Sequence, residues 1–341
     1  MKLAGLLLPF VCGLLAAASR GEDWIAYQGG EGPGRGKHVV FLSGDEEYRS
    51  EEGLPMLAKI LSQRHGFDCT VLFSVDADGT IDPDNGSSLS GAEALDSADA
   101  IVMLLRFRHW PDDVNERFLK AVERGVPIIA LRTSTHAFNM PGDSKFKNLT
   151  AFGKQVLGEQ WVSHWGSHKH EATRGVIEPS AAGDPIFRGV TDIFADTDVY
   201  EAHPPADAKI LVRGQVLKGM HHDDPPADYK KRTAQGQEQG VNDPMMPVAW
   251  TRINKAPSGQ QNKVFCTTMG AATDLQSEGL RRLVVNAVYW GLGLDVPAKA
   301  DVAFVDDYRP TMYGFKGYRR GIKPADHALG KVLPAGTAEK P

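Results

Sequence analysis

Cysteine is scarce, with three in 341 residues. That excludes a disulfide-dense scaffold and a cysteine-rich zinc module. A chain of this length can bury a full core without such staples. A basic excess is absent too: 38 Lys and Arg stand against 43 Asp and Glu, a formal charge of −5. Nucleic-acid binders neutralise phosphate with clustered cations, so no nucleic-acid partner is expected. No Gly-x-Gly-x-x-Gly follows the first apolar strand, which disfavours a nicotinamide oxidoreductase. Neither His-Glu-x-x-His nor a Gly-flanked Ser or Cys elbow is present, so neither a zincin nor a triad hydrolase is indicated. There is no internal repeat.

Long apolar runs are also missing, except at the start. Lys2 precedes an apolar stretch from Leu3 to Ala18, closed by Ala16-Ala17-Ala18-Ser19. This is the pattern of a secretory signal peptide over residues 1–21. The stretch is short for a bilayer span and Pro9 interrupts it, so no retained transmembrane segment is expected. The expected location is secreted or periplasmic. Loss of Lys2 and Arg20 takes the mature charge to −7. Cys69 and Cys266 remain in apolar, strand-like runs, as buried thiols or, in an oxidising compartment, as a disulfide.

The rest of the chain divides into a Gly-rich, flexible lead-in (22–36), one domain (37–296) and an extended C-terminal arm (297–341). His38 to Leu42, Asp68 to Phe73, Ala100 to Leu105 and Val126 to Leu131 read as buried strands. Helical spacing of Leu54, Leu57, Ala58 and Leu61 stops at His65-Gly66, and a second helix begins after Pro111. This alternation predicts a doubly wound α/β sheet. Further strands are expected at Arg174–Ile177, Ile210–Val212, Val248–Arg252 and Val264–Thr268, with a final helix over Leu280 to Val288. Met220 to Val241 is polar and Pro-containing, a surface excursion. Ligands in such folds bind beyond the carboxyl ends of the strands. Those ends carry Asp45, Glu46 and Glu47, then Arg106 and Arg108, then Arg132 to His136.

Asp45 and Glu47 suit acid–base work or hydroxyl binding, with Glu46 beside them as a binding group. Arg106, Arg108 and Arg132 could receive an anionic or polyhydroxylated group, or pair with those carboxylates. His136 and His164 are the expected proton carriers, with His168 in support. On a helix, His164 and His168 would share a face near Glu171, a possible three-ligand metal set; Gly166 weakens that helix. No cofactor is expected. His221-His222-Asp223-Asp224 reads as a solvated loop tip.

Several runs together resemble one family. They are Phe41 to Arg49, Leu131 to Phe138, Gly158 to His164, Asp184-Pro185-Ile186, Pro247 to Thr251 and Val264 to Gly270. In this order they resemble the ThuA-like (trehalose-utilisation) domain, in its secreted planctomycete-type branch, over roughly Lys37 to Val296. The resemblance implies a flavodoxin-like sheet of the class I glutamine amidotransferase type, without the amidotransferase cysteine. It also implies a role in carbohydrate metabolism, with a small-molecule sugar or sugar derivative as ligand. The alternatives are a non-enzymatic carbohydrate-binding or envelope scaffold protein and a metal-dependent hydrolase built on His164 and His168. Two positions depart from the family. Gly270-Ala271 stands where many relatives have Gly-His, and Arg132 where many have His.

Overall fold

The computed structural model describes residues 23–334. The signal-peptide reading falls on residues outside that range. Ten strands form one mixed sheet: β1 (Trp24–Tyr27), β2 (His38–Gly44), β3 (Asp68–Phe73), β4 (Ala100–Leu105), β5 (Ile128–Leu131), β6 (Thr173–Ile177), β7 (Ile193–Ala195), β8 (Lys209–Val216), β9 (Met246–Lys255) and β10 (Gln261–Thr267). Their order is β1-β3-β2-β4-β5-β10-β9-β8-β6-β7. The five strands from β3 to β10 are parallel, in the 2-1-3-4-5 order of a flavodoxin-like sheet. The other five pair antiparallel and extend both edges.

Strand burial explains the apolar runs. In β2, Val39 and Phe41 pack toward α1 (Ser50–His65) and α3 (Glu278–Leu292), while Val40 and Leu42 face α2 (Asp112–Glu123). Both faces are covered, so the strands need apolar side chains on each. Helix α1 ends at Gly66 in the left-handed conformation (φ 78°), whose N–H reaches back to the carbonyls of Leu61 and Ser62. Cys69 and Cys266 are free and buried. Among the described residues no helix is long and apolar enough to cross a membrane.

Two expectations need correction. The lead-in is not flexible throughout, because Trp24–Tyr27 pairs antiparallel with β3 and covers that edge of the sheet. The excursion at 220–241 is not merely surface loop. It carries a hairpin, Lys230–Arg232 against Glu238–Gly240, and its Lys231 Nζ donates to the carbonyls of His164 (2.9 Å) and Trp165 (2.8 Å). The arm has no strand within its described part and one short turn, Pro324–His327. It runs along α1, where Lys59 meets Asp306 at 2.6 Å and the Glu52 carboxylate accepts from the N–H and hydroxyl of Thr311 (2.7 Å each).

Candidate functional site

The switch point of the sheet lies between β2 and β4, where strand order reverses. The loops leaving these strands hold Asp45 to Arg49 and Arg106 to Arg108. The loop after β5 turns through Arg132 to His136. From these loops Glu47, Arg106, Phe107 and His136, together with Trp161, His164, His168, Tyr200 and Phe315, enclose a cleft of about 160 Å³. That is smaller than the roughly 300–1,000 Å³ that holds a drug-sized molecule. It suits one small ring. The lining includes Glu47, Arg106, His136, His164 and His168, five of the nine residues expected at a catalytic or binding site.

The remaining four do not line the cleft. Asp45 is fully buried and accepts from the N–H groups of Glu47 and Tyr48 (2.7 Å each) and from the Thr133 hydroxyl. It ties the loop after β2 to the loop after β5. Burial raises its pKa, against the pull of those hydrogen bonds. Its expected acid–base role is therefore replaced by a structural one. Glu46 pairs with Arg106 and, at 3.3 Å, with Arg108. Arg108 is buried and donates to the Pro83 and Asn85 carbonyls (2.9 and 3.3 Å), so it clamps a loop beneath the site.

Arg132 departs furthest from expectation. Strand β5 enters it in a left-handed conformation (φ 41°) and continues into the tight turn Arg132–His136. That is the strand–turn–helix shape of a nucleophile elbow, with a guanidinium in the nucleophile's place. Its side chain is fully buried between the rings of Tyr48 and Tyr200, at 4.6 and 3.7 Å. Nη1 donates to the Asp198 and Thr268 carbonyls (2.8 and 2.7 Å), and Nη2 to the Asp198 carboxylate (3.0 Å). Arg132 touches no ligand space; it holds Asp198.

Asp198 organises the histidines. His164 Nδ1 meets one of its oxygens at 2.8 Å and His168 Nδ1 the other at 3.0 Å. Burial works to raise this carboxyl, yet Arg132 and the two imidazoles hold it well below the usual range. An ionised carboxylate only accepts, so each Nδ1 carries the proton. His164 Nε2 is then free to take one. His168 also meets Glu47 through Nε2 at 3.4 Å. Hydrogen bonds to Asp198 and then Glu47 raise the His168 pKa to about 9, so it is an imidazolium at neutral pH. His136 is the opposite case. Burial, with Arg106, Arg132 and His164 nearby, lowers its pKa to about 3, so it stays neutral.

The helix expected to pair His164 with His168 does not form. Ser163–His164 pairs instead with Tyr200–Glu201 as a short ribbon, and Trp165 and Gly166 donate to the Val199 carbonyl (2.8 and 3.0 Å). The rings still meet, with centroids 4.6 Å apart. Glu171 lies outside the cluster, accepting from the Ser167 N–H and the Tyr229 hydroxyl (2.7 Å each). The third member of the possible metal set is Asp198: ligand atoms of His164, His168 and Asp198 lie within 4.8 Å of one another. Both Asp198 oxygens already accept from imidazoles, and Arg132 adds a fixed cation beside them. Purified protein is expected to hold no stoichiometric divalent metal. Elemental analysis showing one metal per chain, lost in His164→Ala, would reverse that reading.

The sequence did not single out Asp198, Tyr48, Tyr200 or Phe107. Asp198 lies in Asp196-Thr197-Asp198-Val199, the short connection between Ile193–Ala195 and Tyr200–Glu201, and nothing in that run marks it as a site residue. At the loop tip, exposed His222 bridges Asp192 (2.6 Å) and Asp223 (2.9 Å), away from the cleft. Gly270 and Ala271, at the departure from the family pattern, are buried and donate to Asp274 (2.8 and 3.0 Å).

No family model and no curated protein matches the chain. Solved structures do. Its structural neighbours include ThuA-like proteins. One, described as ThuA-like, is from Parabacteroides merdae; it is 13% identical, with TM-score 0.49, covering 76% of this chain and 92% of its own. A second ThuA-like structure, from Bacteroides uniformis, is 14% identical, with TM-score 0.46, covering 77% and 94%. A protein from Thermoplasma acidophilum, described as a GMP synthase subunit, is 12% identical with TM-score 0.35, covering 74% and 96%. Identities this low say nothing about which side chains are shared.

Proposed function

We propose that this is a secreted or periplasmic ThuA-like protein that acts on a sugar or sugar derivative by moving protons in the cleft between β2 and β4. The ordered set of sequence runs supports the sugar. One observation carries the chemistry: the Asp198–His164 dyad opens on the same cleft as a neutral His136 and a protonated His168. Neighbouring groups driven to opposite protonation states divide acid and base roles at one pH. His164, oriented by Asp198, takes a proton through Nε2. His136, held neutral, hydrogen-bonds the bound molecule, and the protonated His168 is the group with a proton to give. Glu47, held by His168 and by Arg106 (3.7 Å), accepts hydroxyl hydrogen bonds. Among the residues that line the cleft there is no cysteine or serine, so the supported class is proton transfer, as in isomerisation, elimination or hydrolysis by water.

A mass-spectrometric screen of oxidised and unoxidised disaccharides and glycosides with the mature protein tests this. A product should appear, and His164→Ala should lower turnover by roughly 10²–10⁴-fold, the range for loss of one general base. Binding without any product, unaltered in rate by that variant, would instead establish a carbohydrate-binding protein.

A further inference from the structure

We propose that Phe107, Trp161 and Phe315 form an aromatic subsite for the apolar face of a hydroxylated ring, with Phe315, carried on the C-terminal arm, as its specificity-determining wall. This rests on the sugar reading above and narrows it to one pyranose-type ring of a glycoside.

Single exposed apolar residues are ordinary, but convergent ones are not. Phe107, Trp161 and Phe315 are 39%, 38% and 58% exposed, and all three border the one cleft. Their backbones are built for this. Phe107 sits at φ 51°, a conformation uncommon for a bulky side chain, and its N–H donates to the His136 carbonyl (3.0 Å). Phe315 lies between Gly314 (φ 146°) and Lys316 (φ 60°). Side chains rarely adopt the backbone angle at Gly314, so the turn that presents Phe315 favours glycine there.

The arm is fastened to the site itself. Gly314 N–H donates to the Glu47 carbonyl (2.7 Å), and Arg49 Nη1 donates to the Gly314 carbonyl (2.8 Å) and to the carbonyls of Glu46 (2.9 Å) and Glu47 (3.1 Å). Tyr313 stacks on Tyr48 with centroids 5.4 Å apart. The backbone that carries the Glu47 carboxylate is thus the one that holds Phe315 in place.

Charge selects the ligand. Arg106 lies against the rings of Phe107 (4.5 Å) and Phe315 (5.0 Å), but it is paired with Glu46 and Glu47. The other cation in the lining, His168, likewise already meets two carboxylates, Asp198 (3.0 Å) and Glu47 (3.4 Å), so neither cation is free of a partner to receive a phosphate or carboxylate. A neutral ring with C–H groups on its face and hydroxyls on its edge meets both kinds of surface. The cleft volume limits the enclosed part to one such ring.

Phe315→Ala and Phe315→Tyr test the assignment in two assays. In calorimetry with methyl α-D-glucopyranoside and trehalose, Phe315→Ala should weaken binding about tenfold or more, while Phe315→Tyr stays within about twofold. Wild-type binding left intact by Phe315→Ala overturns the subsite but not the sugar reading. Wild-type protein that binds neither glycoside overturns the sugar assignment of both, and the wall is then judged without ligand. For that, diethyl pyrocarbonate should modify His136 severalfold faster in Phe315→Ala, at an unchanged melting temperature. An unchanged rate overturns the wall.

Discussion

Arg132→Met should destabilise the protein by about 3–5 kcal/mol, the cost of leaving one partner of a buried ion pair alone. Turnover should fall with it, because Asp198 orients His164. The pair is fully buried, with 0% side-chain exposure on both partners, so no solvent screens the loss. The carbonyls of Asp198 and Thr268 would lose their guanidinium donor as well. Arg132→Lys should recover only part, since an ammonium cannot reproduce the planar fork held between two tyrosine rings. Combining Arg132→Met with Asp198→Asn should cost less than the sum of the single changes, because neither partner is left as an unpaired charge. Urea unfolding of wild type, Arg132→Met, Arg132→Lys, Asp198→Asn and the double variant measures all of this. A loss below about 1 kcal/mol for Arg132→Met, on the scale of an exposed pair, would show that the buried pair does not organise the site.

His327→Phe should gain stability relative to wild type by on the order of 3 kcal/mol between pH 7 and pH 4. His327 is buried, stacked on Phe73 with centroids 5.4 Å apart, and its Nε2 has no partner among the described residues. Burial, with Lys59 nearby, lowers its pKa to about 3. The sign follows from linkage. An unfolded histidine takes a proton near pH 6.5, whereas the folded one resists until about 3. Its contribution is therefore intact above pH 6.5 and is lost as pH falls toward 3. Phenylalanine removes the titration and keeps the stacking, so near pH 7 the two proteins should differ by less than about 1 kcal/mol. His136 follows the same sign. Glu51 and Asp196 run the other way, because burial, with Glu52 and Asp274 respectively nearby, raises each to about 8. Their stability is present at low pH and lost as pH rises through that value. The wild-type curve thus sums opposed titrations, and only the difference between variant and wild type isolates His327. A difference flat from pH 7 to pH 4 would refute its buried neutral state.

The parallel half of the sheet was the most legible part of the sequence. Asp68–Phe73 and Ala100–Leu105 have the expected bounds, and in Ala100–Leu105 every residue is apolar and buried, as a strand covered on both faces requires. The site was half legible. Residues just past strand ends must lie at the carboxyl edge, and Glu47, Arg106 and His136 do. Position in the chain does not say which way a side chain turns, and Asp45, Arg108 and Arg132 turn inward, where burial and pairing fix them. His164 and His168 were found as neighbours through a helix that is not there; a ribbon with Tyr200–Glu201 brings them together instead. Asp198 was out of reach because the contacts that define it come from Arg132 and His164, 66 and 34 residues away. The arm was readable as extended, but its entry into the cleft depends on Arg49, whose role only the fold reveals.

The arm also closes the cleft from a distant part of the chain: Phe315 lies 179 residues beyond His136 and 147 beyond His168, yet it lines the same space. A chain stopped short of the arm would carry the histidine cluster yet leave its cleft open on one side.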